Sequence, residues 1–298
     1  MRWGDFRRSD NIEDRGDAGP SGGGAGGGPG IRLGGGAIVV VVIASLLFGV
    51  NPLEMLDLVS GGGAPAPQQA TPAPGGYGPA PAPPVRDQAR EMVAHVLGDT
   101  EDTWQAIFKA RGQRYVPPKL VLFRGSTRSA CGRADAAVGP FYCPADREVY
   151  LDTAFFDELT RRFGAPGDFA QAYVVAHEVG HHVQNLMGIM GKFDAQSQRM
   201  DARSRNALSV RLELQADCFA GVWGHAAQRR NLLDAGDVEE GLRAAAAVGD
   251  DRIQRQARGA VTPDSFTHGS SAQRVRWFKA GFDTGDVRSC DTFAARER

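Results

Sequence analysis

The sequence has almost no net charge and very few histidines. In 298 residues, 34 lysines and arginines stand against 35 aspartates and glutamates, which leaves a formal charge of −1. This balance excludes binding to nucleic acid through bulk electrostatic attraction, so no nucleic-acid partner is predicted. There are only six histidines, and half of them lie between His177 and His182. Such a concentration indicates one specific site.

Cysteine is also scarce, and no pair of cysteines has the Cys-x-x-Cys spacing of a common metal site. All four cysteines lie in the distal part of the chain, at Cys131, Cys143, Cys218 and Cys290. An even number suits an oxidising compartment, in which disulfide bonds are the default. Cys131 and Cys143 flank a turn-rich segment, so we predict that they pair with each other and that Cys218 pairs with Cys290.

The chain has one uncharged apolar run, and it is short for a membrane-spanning helix. Residues 34–50 lack charged side chains, and their number is at the low end of what crosses a bilayer core. A buried core helix is disfavoured, because a polar, glycine-rich segment precedes the run and a Pro/Ala/Gly-rich linker, residues 51–84, follows it. A cleaved signal peptide is the alternative, but about 30 polar residues come first instead of a short basic leader. We therefore predict a transmembrane signal anchor over residues 34–50.

Basic residues indicate the orientation of this anchor. The arginines before the apolar run are Arg2, Arg7, Arg8, Arg15 and Arg32. After the run, the first basic residue is Arg86. By the positive-inside rule, residues 1–33 form a disordered cytoplasmic tail and the rest of the chain lies outside the cytoplasmic membrane.

Residues 85–298 are long enough for one domain with its own core. Apolar residues at helical spacing predict helices over most of this domain, including residues 86–112, with a break near Gly98 and Asp99, and residues 153–164. Two short segments rich in Val, Leu, Tyr and Phe predict strands at residues 118–125 and 147–152. The predicted fold is α+β and mainly helical, with one transmembrane helix before the domain and a small sheet before the helix that carries the histidines.

That helix is predicted over residues 169–187. Asp168 and Gln171 form a capping-box pattern at its start, and Gly188 is placed to follow its last turn. His177 and His181 are four positions apart, so they project within about 40° of each other on one face.

This spacing gives the His-Glu-x-x-His pattern of zinc hydrolases. The two imidazoles can take two positions of a zinc ion, and Glu178, at the edge of the same face, can act as a base on zinc-activated water. A single histidine on an apolar helix is usually a core residue and a lone glutamate is usually solvated, but the joint pattern favours zinc. His182 is rotated away from this face, so it is predicted to be structural or to support a ligand residue, and not to be a ligand itself.

A zinc ion needs a third protein ligand, which we predict on a later helix. A third histidine six positions after His181 is absent, because position 187 is Met187. Residues 206–227 form a helical pattern with Glu213 and Asp217 four positions apart. Glu213 is predicted to ligate zinc, while Asp217 accepts the ring N–H of a ligand histidine and fixes its tautomer. A solvated acidic pair is disfavoured by the apolar residues around the two carboxylates.

His268 is the candidate for a second catalytic role. It lies in a loop just before a Ser270–Gln273 capping-box pattern, from which a side chain could reach across a cleft. We predict that it donates to the carbonyl oxygen on which negative charge develops during hydrolysis. Tyr150 and Arg274 are rivals for this role, and a simple hydrogen bond from His268 to its loop is the alternative.

Four motifs together resemble those of a bacterial family of neutral zinc metallopeptidases. They are "AHEVGHHVQ", "ELQADCFAGVW", "GPFYCPADREVYLD" and "SFTHGSSAQRVRWF". The segment "MRWGDFRRSDNIEDRG" is similar to the N-terminus of that family. The resemblance implies a single-pass membrane protein with a zincin-like peptidase domain, and it implies that His177, Glu178, His181 and Glu213 surround one Zn²⁺ ion per chain. Residues 147–152 are then expected to form the edge strand of the zincin sheet, which binds an extended peptide.

The sequence as a whole predicts a membrane-anchored zinc peptidase that hydrolyses peptide bonds outside the cytoplasmic membrane, with Glu178 as general base. Its expected partners are a peptide or protein substrate and the membrane. Two alternatives stay open: a membrane-tethered zinc scaffold without turnover, and a zinc amidase that acts on cell-wall amides. Glu178 favours an enzyme over a scaffold, because structural zinc sites usually close with four protein ligands.

Overall fold

The computed structural model describes residues 1–17, 85–135 and 139–294. The described part is mainly helical with a small sheet, as predicted. Its strands are β1 (Ile12–Asp17), β2 (Lys119–Arg124), β3 (Ser126–Ser129), β4 (Gly132–Asp135), β5 (Phe141–Cys143) and β6 (Glu148–Asp152). Its helices are α1 (Val85–Ala110), α2 (Phe155–Arg161), α3 (Asp168–Leu186), α4 (Ile189–Ser197), α5 (Ala202–Arg229), α6 (Asp237–Ala247), α7 (Asp250–Arg258) and α8 (Ser271–Thr284).

The main sheet has the strand order β1-β2-β6-β5, and β3 and β4 form a separate antiparallel hairpin. Strands β1, β2 and β6 are parallel, while β5 is antiparallel to β6. The two predicted strands are β2 and β6. The prediction that residues 147–152 form the edge of the sheet is wrong, because β5 folds back on β6 as a hairpin. At three residues, β5 is too short to give an alternating pattern in the sequence.

The N-terminal segment Met1–Asp17 packs on the domain, although we predicted that it would be disordered. Its strand β1 pairs with β2, and Phe6 is only 5% exposed within the main core. The buried Ser9 hydroxyl donates to Glu101 at 2.6 Å, and the Arg7 guanidinium binds the same carboxylate at 2.6 Å. The prediction rested on polar composition alone. It could not include the partners that the open edge of β2 and the side chain of Glu101 provide.

Helix α1 continues through Gly98 and Asp99, where the sequence predicted a break. Gly98 faces the N-terminal segment so closely that a Cβ atom there would lie 2.0 Å from the carbonyl oxygen of Arg7. Asp99 is buried and accepts hydrogen bonds from the Trp223 indole at 2.8 Å and from the guanidinium of Arg230. Both residues therefore serve tertiary contacts, and neither ends the helix.

Helices α3, α5 and α8 form the centre of the fold, with α5 packed against both of the others. Gly180 permits the close approach of α3 to α5, because a Cβ atom there would lie 3.0 Å from the carbonyl oxygen of Ala216. Gly188 follows the last turn of α3 in a left-handed conformation, as predicted. The start of α3 differs from the prediction. Gly167 is the N-cap residue, and the carboxylate of Asp168 contacts the N-terminal ammonium of Met1 at 3.0 Å instead of capping the helix.

The predicted fold included a transmembrane helix before the domain, and this part of the prediction is wrong for the fold that the structure describes. Within residues 1–17, 85–135 and 139–294, no helix has the length and apolar composition needed to cross a membrane. The long helices α1 and α5 carry charged residues along their length, which a bilayer core disfavours. The predicted anchor at residues 34–50 and the predicted linker at residues 51–84 lie outside the described residues.

Two disulfide bonds join the pairs of cysteines that the sequence predicted. Cys131 is bonded to Cys143, and Cys218 is bonded to Cys290. The first bond fixes the β3–β4 hairpin to β5. The second ties the middle of α5 to the last helical turn of the described chain, Val287–Cys290.

Candidate active site

The three predicted zinc ligands converge in the structure. His177 and His181 extend from α3, and Glu213 extends from α5. The Nε2 atom of His177 lies 3.2 Å from Oε2 of Glu213, and Nε2 of His181 lies 3.5 Å from Oε1. One ligand atom of each residue lies within 4.8 Å of the other two. Tetrahedral zinc with bonds of about 2.1 Å separates its ligand atoms by about 3.4 Å, so this set fits the ion.

Hydrogen bonds at the far side of both imidazoles set their tautomers. The Nδ1 atom of His177 contacts Asp217 at 2.9 Å, and Nδ1 of His181 contacts the amide oxygen of Gln184 at 2.9 Å. Because both partners are acceptors, each Nδ1 carries a proton, and Nε2 is the ring nitrogen of each histidine that can bind a metal. Asp217 has the position predicted for it. Gln184 was not predicted, although it lies three residues after His181 on the same helix.

Asp217 is itself held by a buried network. The guanidinium of Arg274 donates to both of its oxygens, at 2.8 and 2.9 Å, and the hydroxyl of Tyr173 donates to Oδ1 at 2.5 Å. Burial would raise the pKa of Asp217, but Arg274 and His177 hold it below its usual value. Asp217 therefore stays ionised and keeps the ring of His177 in one orientation. Arg274 is one of the rival oxyanion donors, but its guanidinium is hydrogen-bonded to Asp217. The contact between Tyr173 and Asp217 was not predicted.

The electrostatics of the ligand set favour a bound cation. Burial would lower the pKa of His177, but its contacts with Asp217 and Glu213 raise it to about 9. Burial would also raise the pKa of Glu213, yet the two histidines hold it well below its usual value. The buried carboxylates thus stabilise positive charge at this point, which a divalent metal can supply.

Glu178 lies beside the ligand set without being part of it. It is 7% exposed and lines a cavity of about 130 Å³ together with the three ligand residues. Burial raises the pKa of Glu178, and a carboxylate with a raised pKa is a better proton acceptor near neutral pH. The position suits a general base.

The same cavity is bordered by the edge of the sheet and by α4. Tyr142 of β5 and the following Pro144 line it, and so do Phe193 of α4 and Leu212 of α5. The cavity is therefore mainly apolar away from the ligand set, and its sheet side is the edge strand β5.

His268 also lines this cavity, in the loop that the sequence predicted. The Ser270–Gln273 capping box is present at the start of α8. Nδ1 of His268 contacts Oδ1 of Asp250 at 3.1 Å, and Oδ2 of Asp250 accepts the backbone N–H of His268 at 2.7 Å. With Nδ1 engaged, Nε2 is the ring nitrogen that can serve a ligand in the cavity. Burial would lower the pKa of His268, but Asp250 raises it above the usual value, which favours the charged donor form.

Asp250 was missed by sequence reasoning. Besides His268, its Oδ2 accepts the backbone N–H groups of Thr267 at 2.8 Å and Gly269 at 3.0 Å. One carboxylate at the start of α7 therefore shapes the whole loop. No local pattern indicates this, because the contact joins residues 17 to 19 positions apart.

Two further residues have roles in packing. The hydroxyl of Tyr150 contacts the carboxylates of Asp146 and Glu148 at 2.8 Å, and Tyr150 does not line the cavity, so it is no longer a rival donor. Nε2 of His182 donates to the carbonyl of Val116 at 2.7 Å. Burial lowers the pKa of His182 to about 4, so it is neutral, in keeping with the structural role that we predicted.

An HExxH helix, a glutamate from a second helix and a free carboxylate beside them are the arrangement of zinc-dependent hydrolases. A family model described as "Putative neutral zinc metallopeptidase" matches residues 1–293, and the chain belongs to this family. The family implies zinc, and the His177–His181–Glu213 set is a site that can hold it.

The relatives of this chain include proteins of Escherichia coli and Mycobacterium tuberculosis. "Uncharacterized protein YpfJ" of Escherichia coli K12 is 48% identical over 297 residues, which cover 98% of this chain and 99% of the relative. An uncharacterized protein of Mycobacterium tuberculosis H37Rv is 45% identical over 209 residues, which cover 66% of this chain and 70% of the relative. No solved structure matches the chain.

Loss of the Cys218–Cys290 disulfide is expected to weaken zinc binding. This disulfide joins α5, the helix that carries Glu213, to the C-terminal turn, and the amide of Gln215 on the same helix donates to the backbone carbonyl of Cys290 at 2.9 Å. For a loop of this length, the chain-entropy model predicts that loss of the disulfide lowers the free energy of unfolding by about 4 kcal/mol. In a Cys218→Ser/Cys290→Ser variant, competition with a chromogenic chelator should show a Kd for zinc that is raised about tenfold.

The matched control is the Cys131→Ser/Cys143→Ser variant. It also lacks one disulfide, but this bond ties β5 to a hairpin and not to either ligand helix. The control should keep the zinc affinity of the unmodified protein. Equal zinc affinity in both variants would show that the second disulfide does not hold Glu213 in place.

Proposed function

We propose that this protein is a zinc-dependent peptidase that hydrolyses peptide bonds with Glu178 as general base. The observation that carries the proposal is the convergence of His177, His181 and Glu213 next to Glu178 in a cavity. Membership of the zinc metallopeptidase family supports the same reaction. A structural zinc site would have no need of a buried carboxylate beside its ligands.

Each residue of the site has a separate role in this reaction. When bound, zinc supplies a Lewis acid that lowers the pKa of a water molecule and polarises the scissile carbonyl. Glu178 accepts the proton of the attacking water and passes it to the leaving amine. Asp217 and Gln184 keep Nε2 of the two histidines directed to the ligand centre, and Arg274 keeps Asp217 ionised.

A peptide substrate can be held by the edge of the sheet. β5 is the last strand on its side of the main sheet within the described residues, and Tyr142 from this strand lines the cavity. An extended peptide that pairs with such an edge gains backbone hydrogen bonds and presents alternate side chains to the cavity. This geometry favours a peptide chain over a compact amide substrate.

We also propose that the domain works in an oxidising compartment outside the cytoplasm. The support is that all four cysteines form disulfides, which persist mainly in such compartments. The segment Met1–Asp17 packs against the domain, so the proposal places this segment in the same compartment.

The reaction is tested with a set of internally quenched peptides of mixed sequence. The zinc-loaded protein should cleave members of the set, a chelator should stop cleavage, and added zinc should restore it. Mass spectrometry of the products identifies the bond that is cut. If no peptide is cleaved by protein with a full complement of zinc, the proposed peptidase function is wrong.

His268→Ala is expected to lower kcat about a hundredfold with little change in KM, because His268 would donate to the oxygen that becomes negative in the transition state. The variant should keep its zinc. His225→Ala is a control, since this histidine lies outside the cavity lining. Steady-state kinetics decide the matter, and an unchanged kcat in zinc-loaded His268→Ala would remove this residue from the mechanism.

A further inference from the structure

Among the described residues, the cavity beside the metal ligands has one carboxylate that the proposed reaction does not use. Asp194 of α4 lines the cavity together with Met190 and Phe193 from the same helix and Leu212 from α5. The other three lining residues are apolar, so Asp194 brings the single negative charge to the part of the wall that α4 contributes.

The position of Asp194 is fixed by packing. The adjacent Phe193 is 4% exposed and forms a small hydrophobic core with Leu208 and Leu212 of α5. Helix α4 is thereby held against the helix that carries Glu213. The backbone of Asp194 is consequently held beside the helix that carries Glu213, as a residue that selects substrates requires.

The carboxylate of Asp194 is half-buried, and it forms no ion pair within the part of the chain that the structure describes. Burial raises its pKa, and no cation among the described residues offsets that effect. A carboxylate removed from water without a counter-charge is unfavourable. A ligand with a positive charge would supply the missing counter-charge to Asp194, whereas an apolar ligand would only remove more water from the carboxylate.

We propose that the cavity takes a lysine or arginine side chain of the substrate, with its charged end at Asp194 and its aliphatic stem against Met190, Phe193 and Leu212. Long basic side chains combine an apolar stem with a charged head, which matches this wall. The inference rests on the proposed peptidase function. It names the substrate class as peptides with a basic residue beside the cleaved bond.

The preference for lysine or arginine over a neutral residue in the substrate is expected to be large and to depend on the positive charge. A charge-assisted hydrogen bond in a partly desolvated site is worth at least about a tenfold difference in affinity. Norleucine is the matched neutral residue, because it keeps the unbranched stem of lysine and lacks the ammonium. Glutamate should be excluded, because it would bring a second negative charge to Asp194.

The test uses quenched peptides that differ only in one residue next to the scissile bond, which is lysine, arginine, norleucine or glutamate. The zinc-loaded protein should cleave the two basic peptides with a kcat/KM about tenfold or more above that for norleucine. Asp194→Asn should reduce this ratio to near one while it keeps its zinc and its cleavage of the norleucine peptide. Glu239→Gln, the same chemical change at an exposed residue of α6, should keep the full preference.

A second measurement does not require turnover. The Glu178→Gln variant and the double variant Glu178→Gln/Asp194→Asn are titrated against dansylated lysine and norleucine peptides, and fluorescence anisotropy gives Kd. The lysine peptide should bind more tightly to the first variant, and the difference should disappear in the second.

The outcomes separate this inference from the proposed function. Equal cleavage of the lysine and norleucine peptides by the unmodified protein overturns the role of Asp194 and leaves the peptidase function intact. A preference for lysine that survives Asp194→Asn also overturns it. Absence of cleavage of all four peptides counts against the peptidase function instead, and the binding measurement then decides whether Asp194 selects basic ligands.

Discussion

Glu178→Gln is expected to lower kcat/KM about a thousandfold while zinc stays bound. General base catalysis contributes factors of about 10² to 10⁴, and glutamine has the shape of glutamate without its basicity. Glu178 is buried next to His177 but lies outside the set of converging ligand atoms. The substitution therefore removes the proton acceptor and leaves the metal site complete.

The measurement combines peptide hydrolysis with metal analysis of the same sample. Glu239→Gln, which makes the same change on the exposed surface of α6, should have normal activity and zinc content. Loss of zinc from Glu178→Gln would make Glu178 a ligand and not a base. Normal turnover by the zinc-loaded variant would require a different base.

Gly98→Ala is expected to destabilise the domain by about 2 kcal/mol and to release the segment Met1–Asp17. In an exposed helix, Gly→Ala would stabilise by about 1 kcal/mol. Here the new methyl group would lie 2.0 Å from the carbonyl oxygen of Arg7, and backbone collisions of this kind cost about 1–3 kcal/mol. Release of the segment would also withdraw Phe6 from the core.

Limited trypsin digestion followed by mass spectrometry detects the released segment by cleavage after Arg7 and Arg8. Thermal unfolding gives the accompanying change in stability. Gly191→Ala is the matched control, because Gly191 is also within a helix and a Cβ atom there would have no neighbour within 4 Å. This control should be at least as stable as the unmodified protein. A Gly98→Ala variant that keeps its stability and its resistance to trypsin would contradict the packing of the N-terminal segment on α1.

The parts of the site that follow from helical periodicity were predictable from the sequence. The spacing of His177 and His181 places them on one face of a helix whatever the tertiary structure is, and the same rule relates Glu213 to Asp217. The pairing of the two helices was a chemical inference, because zinc requires a third ligand. The structure brings these four residues together.

The parts that depend on long-range contacts were not predictable in this way. Asp250 shapes the His268 loop from a position 18 residues earlier in the chain, and Arg274 reaches Asp217 from a helix 57 residues later. Ser9 is hydrogen-bonded to Glu101 of α1, and Phe6 packs in the main core. The composition of a segment shows whether it can form a core of its own, but it does not reveal the contacts that another segment provides.

The most direct test of the central claim, that His177, His181 and Glu213 hold a catalytic zinc ion, is the zinc content of purified Glu213→Ala compared with that of the unmodified protein. Inductively coupled plasma mass spectrometry gives the number of zinc ions per chain, and circular dichroism confirms that both proteins are folded. The account predicts one zinc ion per chain in the unmodified protein and almost none in folded Glu213→Ala, because two histidines alone bind zinc too weakly to retain it through purification. A folded Glu213→Ala protein that retains one zinc ion per chain would contradict the account.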